Sequence, residues 1–245
     1  MNSQSALAAQ LCTQLRALLR TKQLLHIEPA ERPAASQLLS HIGGAPYFEQ
    51  GETWPTNPET GQPLELIFQL VNDDERLPWP FEAQVVQFYH NYHWGELPFD
   101  DGHEPPDFCL KTYPRLRPEQ LTQVPRPAAL PPIGFSYIRT QAAPSLPDDD
   151  ELADLAPELQ ALCEQLNPDD WWEAYNTAVT EVAGEPDLGS WVGGYAQWLQ
   201  GAYPTGTFWL QFDSTADFAW GDAGLLYFCV EGADPATISF QLQSC

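Results

Sequence analysis

Two kinds of hydrophobic spacing alternate along the chain. Near the N-terminus, Leu7, Leu11, Leu15, Leu18, Leu19 and Leu25 recur at steps of three, four and seven, with Gln10, Gln14, Arg16 and Lys22 between them. This period predicts an amphipathic helix over residues 5–25 whose apolar stripe packs on the chain's own core. From Ser40 the texture changes to short aromatic and β-branched runs bounded by Gly and Pro: residues 64–71, 83–92, 135–139, 207–212, 225–230 and 237–243. Each reads as a strand. The stretch 99–132 is rich in proline, which removes amide donors and fixes φ, so an ordered or semi-extended loop is expected there rather than a central strand.

Helical spacing returns over residues 148–184. Leu152, Leu155, Leu159, Leu162 and Leu166 recur at three and four, and Pro157 is expected to split the segment and open its second helix. Asn167 is a candidate cap for a further helix with Pro168, Asp169 and Asp170 in its first turn. Its buried face would be Trp171 or Trp172, Tyr175, Val179 and Val182, and its end Gly184.

The strand-forming runs also repeat. Ile42-Gly43-Gly44-Ala45 matches Val192-Gly193-Gly194-Tyr195, Ile67-Phe68-Gln69-Leu70 matches Trp209-Leu210-Gln211-Phe212, and Val85-Val86-Gln87-Phe88 matches Leu225-Leu226-Tyr227-Phe228. The offsets are 150, 142 and 140 in unchanged order, which predicts two related sheet halves.

Composition sharpens this outline. The chain of 245 residues carries 34 acids against ten Lys and Arg, a formal charge of −24, so its surface repels phosphate backbones and direct nucleic-acid binding is not expected. The charge is lopsided. Ten bases and 16 acids before residue 140 leave −6, whereas the last 106 residues have 18 acids and no base, leaving −18. Solubility alone calls for some acidic surface; the sharper reading is a basic partner. No run approaches the roughly 20 apolar residues of a membrane span, and no basic segment precedes an apolar one at the N-terminus, so a cytoplasmic location is expected. Five widely spaced cysteines (Cys12, Cys109, Cys163, Cys229 and Cys245) suggest reduced thiols rather than a disulfide framework or a zinc ribbon.

Several motifs have a familiar order. Ser40-His41-Ile42-Gly43-Gly44-Ala45-Pro46-Tyr47, Trp54-Pro55, Gly61-Gln62-Pro63-Leu64 and Phe68-Gln69-Leu70 resemble the opening signature of the bacterial YwqG-like family. Gly193-Gly194-Tyr195, Trp198-Leu199-Gln200, Leu210-Gln211-Phe212-Asp213 and Trp220-Gly221-Asp222-Ala223-Gly224-Leu225-Leu226-Tyr227-Phe228 resemble its closing signature. The resemblance runs from about Ser40 to the C-terminus, and the acidic helical segment and proline-rich loop match it poorly. It implies a single α+β domain with a duplicated β core. Some such proteins resemble immunity partners encoded beside secreted toxins, including nucleases delivered by type VI secretion.

Enzyme-like constellations are thin. His90, His93, His103 and Cys109 offer zinc-type ligands, but i and i+3 face opposite sides of a strand. Asp213, Asp217 and Asp222 lack a calcium-loop pattern, and Asp222 is expected to cap a turn in which Gly221 and Gly224 take unusual φ. No nucleophile elbow, phosphate loop or dinucleotide fingerprint is present, and no lysine follows Lys111.

The expected architecture is α+β: one domain over 1–245, with an N-terminal helix in 1–30, a first β half in 40–139, an acidic helical segment in 148–184 and a second β half in 190–245. The expected function is a cytoplasmic antitoxin that inhibits a basic toxin, foremost a type VI secretion nuclease, by stoichiometric binding without cofactor, metal or turnover. Its partner-binding candidates are Asp148, Asp149, Asp150, Glu151, Asp154, Asp169, Asp170 and Glu173, with Asp73, Asp74 and Glu75. Trp171, Trp172, Trp198 and Trp209 are available as aromatic anchors where exposed. A metal- or carboxylate-dependent enzyme acting on a small molecule is the alternative.

Overall fold

The structure is a computed structural model and describes residues 3–93, 107–201 and 206–244. The N-terminal periodicity divides in two. Helix α1 (Ser3–Leu18) buries Leu11, Cys12 and Leu15, but residues past Leu19 form strand β1 (Arg20–Ala30) instead of continuing the helix. The expected helix over 5–25 is therefore too long. Residues 20–30 pair with β6 (Phe135–Ser145) and residues 22–24 also with β7 (Trp191–Gly193), and this ladder overrides the helical spacing of the leucines.

The remaining elements follow in chain order: β2 (His41–Ile42), β3 (Glu65–Val71), β4 (Val85–His90), β5 (Phe108–Tyr113), then β6, α2 (Asp149–Leu155), α3 (Pro157–Leu166), α4 (Trp171–Ala183), β7, β8 (Thr207–Asp213), β9 (Leu225–Val230) and β10 (Ser239–Gln243). Pro157 opens α3 as expected. Helix α4 starts at Trp171 rather than Pro168, because Asn167 ends α3 and its side chain accepts from the Asp170 amide across the connecting turn. Within the proline-rich stretch, β5 pairs with β4 alone at the edge of the sheet, where missing amide donors are tolerated.

All ten strands form one curled antiparallel sheet in the order β10-β9-β8-β7-β1-β6-β2-β3-β4-β5. Adding five to each strand number in the first half reproduces the same order read backwards, so the sheet has a pseudo-two-fold axis. β1 and β6 pair over eleven residues, and Leu25 faces Thr140 at the centre of that ladder. Each of these strands also borders the other half: β1 meets β7, and β6 meets β2. The halves are thus interlocked by exchange of their first strands.

Hydrogen bonds repeat at the offsets read from the sequence. Buried Gln69 donates to the Leu39 carbonyl at 2.8 Å and accepts from the Tyr47 amide at 2.7 Å; buried Gln211 donates to the Gly189 carbonyl at 2.9 Å and accepts from the Gln197 amide at 3.0 Å. Ser40 and Ser190 each accept, at 2.8 Å, from the amide that ends the neighbouring strand, Val71 or Asp213. These side chains satisfy loop backbone that the ladders do not reach, which makes polar groups affordable at fully buried strand positions.

The turns after β2 and β7 need glycine for two reasons. Gly43 and Gly193 have φ of 68° and 75°, and a Cβ there would come within 1.9 Å of the Gly134 carbonyl oxygen or 2.5 Å of Pro78 Cγ. The later Trp220–Gly224 turn differs from expectation. Gly221 and Ala223 have positive φ, Gly224 is required because its Cβ would lie 1.6 Å from the Trp220 carbonyl oxygen, and Ser214 rather than exposed Asp222 bridges the Trp220 amide and the Gly224 carbonyl.

The curl brings the inner faces of the two arms together. Phe88 and its repeat equivalent Phe228 meet edge to face with centroids 4.9 Å apart, and Phe68 packs on Phe212 at 4.7 Å. A second apolar cluster, including Leu11, Leu15, Leu152, Leu159, Leu162 and Tyr175, joins α1 to α2–α4 in a helical layer. In the central strand, buried Leu25 donates its amide to the Ser190 carbonyl at 2.8 Å. Replacing Leu25 with Pro removes that donor and interrupts β1; urea unfolding should show a loss of about 3 kcal/mol or more.

Candidate functional site

Charge and fold divide along the same line. Residues 146–187 carry thirteen acids and no base, and α1 adds only Arg16, so the helical layer holds −12, half of the chain's −24. In the first sheet half five carboxylates are paired with bases. Glu28 pairs with Arg139, Glu49 with Arg117, Glu52 with Lys111, Glu65 with both Arg126 and His93, and Asp74 with Arg76. Lys22–Asp187 at 3.4 Å is an ion pair that reaches past residue 140. The acidic layer is left largely without internal counter-charge.

Its candidate acids fall into three groups. Asp154, Asp169, Asp170 and Glu173 are exposed, with Glu173 accepting from the Asn167 side chain at 3.2 Å. Asp148 and Glu151 turn inward and fasten the layer to the second sheet half. Asp148 caps α2 by accepting from the Glu151 amide at 2.9 Å, and it accepts from the Trp198 amide at 3.1 Å; Glu151 accepts from the Trp198 indole at 3.2 Å. Asp149 is half-buried, and Asp150 lies in α2 with its side chain outside the described residues. Asp73, Asp74 and Glu75 are exposed on the β3–β4 loop, on different elements from the helical acids.

The aromatic candidates separate equally clearly. Trp209 is fully buried, Trp171 and Trp198 are half-buried, and Trp172 is 48 % exposed on α4 beside Asp169, Asp170 and Glu173 in sequence. The described zinc-type residues do not converge. His93 pairs with buried Glu65, His90 packs against Trp220 and Phe240, and His103 lies outside the described residues. Asp213 and Asp217 accept from the separate amides of Ser214 and Gly134. Among the described residues no three His, Cys, Asp or Glu gather where a metal ion would sit.

Sequence reasoning missed a cleft of about 320 Å³ between the helical layer and the second sheet half. Lys22, Tyr175, Trp191 and Tyr195 line it, with Asp149, Glu185 and Asp187 among its acids. Lys22 is 6 % exposed, its Nζ 3.9 Å from the Trp191 ring centroid, and burial pulls its pKa down while Asp187 pushes it back up. The signal was the polar segment 20–23, which helical spacing made look like a helix face. Strand exchange brings this N-terminal lysine into a C-terminal half that has none.

A family described as a domain of unknown function, DUF1963, matches residues 40–243. The chain belongs to this family. The family match begins after β1, yet β1 occupies the centre of the sheet. No curated protein matches the chain.

The Glu151 carboxyl is pushed up to about 7, first by burial and then by Asp148, while the Trp198 indole opposes the shift. The folded protein consequently keeps a proton that the unfolded chain releases near 4.5. Stability from this group falls as pH rises from about 4.5 to about 7, and is level above that. Glu151→Gln should flatten this decline and raise the urea midpoint at pH 8 more than at pH 5.

Proposed function

We propose that this DUF1963 protein is a YwqG-like immunity protein of the cytoplasm, which neutralises a basic secreted toxin by stoichiometric binding. The observation that carries the reading is the helical layer at −12, with thirteen acids against one arginine, whereas five carboxylates of the first sheet half stand in ion pairs. An unneutralised field of this sign accelerates encounter with a positively charged partner and disfavours acidic ones. Nucleases are positive where they hold phosphate, so a nuclease toxin delivered by type VI secretion is the partner class that fits best. Carboxylates presented at such a surface compete for the positions that phosphates would take.

Asp154, Asp169, Asp170 and Glu173 supply the outward charge, with exposed Trp172 as an aromatic anchor. Asp73, Asp74 and Glu75 form a second acidic patch. Asp148 and Glu151 act indirectly by holding the layer in place. The inhibition requires neither turnover nor cofactor, and direct nucleic-acid binding is disfavoured by the same charge. Among the described residues no helix is long and apolar enough to cross a membrane, in keeping with a partner met in solution.

The neighbouring gene should encode a basic toxin, and co-expression with it should abolish toxicity and yield a co-purifying complex. Raising ionic strength from about 0.05 M to about 0.5 M should slow association at least about tenfold. Asp169→Asn, Asp170→Asn and Glu173→Gln together should slow it severalfold at low salt while leaving the urea midpoint nearly unchanged. Persistent toxicity, or association indifferent to salt and to these changes, would overturn the reading.

A further inference from the structure

The repeat places two equivalent positions beside the Gly-Gly turns, and they differ in chemistry. In the first half, Phe135 on β6 packs against His41 with ring centroids 5.9 Å apart. His41 is fully buried and donates to the Ala45 carbonyl while accepting from the Gly44 amide; burial holds its pKa down to about 4, so the pair is neutral. In the second half, the corresponding strand positions are Lys22 and Trp191, and Trp191 makes the equivalent indole bond to the Tyr195 carbonyl at 3.0 Å. One copy is a closed ring pair. The other places a primary amine in a cleft of about 320 Å³.

That amine is unusually placed. Its side chain is 8 % exposed, and its carboxylate partner Asp187 stands at 3.4 Å, a longer contact than the 2.9 Å between Lys111 and Glu52. These are the chain's two lysines. Asp149, Glu185 and Asp187 make the surroundings of Lys22 negative, which disfavours an anionic ligand, while their oxygens accept from hydroxyl groups. Tyr175 and Trp191 add flat apolar surface.

We infer that this cleft binds a small neutral polyhydroxylated aldehyde as a reversible imine on Lys22. The Nζ lone pair forms the C–N bond to the carbonyl carbon. The two amine protons and the carbonyl oxygen leave as water, with Asp187 placed to take the first proton, so the step needs no oxidant or reductant. Burial supports it by enlarging the uncharged amine fraction.

The test is reductive trapping on the full chain with sodium cyanoborohydride and glyceraldehyde, followed by peptide mapping of the two lysines. Glyoxylate serves as the anionic comparison. Glyceraldehyde should label Lys22 at least about tenfold faster than Lys111. Glyoxylate should label Lys22 more slowly than glyceraldehyde does. Replacing Asp149 with Asn and Glu185 with Gln should raise glyoxylate labelling of Lys22 without changing that of Lys111. Lys22→Arg keeps the cation and should remove the favoured label. Equal glyceraldehyde labelling of both lysines, faster labelling of Lys22 by glyoxylate, or no rise with the rim variant overturns the inference. Because no toxin takes part, failure here is separable from failure of the immunity reading.

Discussion

The eleven-residue antiparallel ladder between β1 and β6 is the contact on which the molecule depends. Each strand pairs on its other side with the opposite sheet half, so neither repeat completes its sheet alone. Ladder bonds satisfy backbone that would otherwise form open edges at the middle of the sheet. The curl then lets equivalent aromatic side chains, Phe88 and Phe228, meet in a shared core. Removing β1 would expose the edges of both β6 and β7.

Duplication also explains how polar groups survive inside this sheet. Gln69 and Gln211 are buried at equivalent positions and serve equivalent loop amides and carbonyls. Their exchange of water for protein hydrogen bonds is close to neutral, whereas an apolar substitute would strand two backbone groups. The repeat therefore preserves a bonding pattern more faithfully than it preserves residues: His41 and Trp191 differ in size and chemistry yet donate to carbonyls 150 residues apart.

Electrostatics separates the layers where packing joins them. The first sheet half pairs many of its carboxylates with nearby cations, while the helical layer has thirteen acids and one arginine. Its internal stability comes from an apolar cluster instead. Two acids, Asp148 and Glu151, bind it to the sheet, leaving Asp154, Asp169, Asp170 and Glu173 in solvent. One acidic segment thus contains both attachments and outward charge.

Local pattern was enough to identify β3, β4, β8 and β9, because each is a continuous apolar run, and to place helical turns around Pro157 and before Gly184. It also determined the charge asymmetry and the duplicated motif order, since both are properties of the linear chain. β1, β2, β5 and β7 were not legible: they are very short, lie among prolines, or, in β1, carry leucines at helical spacing. Tertiary pairing alone decided that Lys22 would enter the second half and that Asp148 and Glu151 would face inward, because a side chain's surroundings are set by whichever distant strand or turn completes its backbone partners.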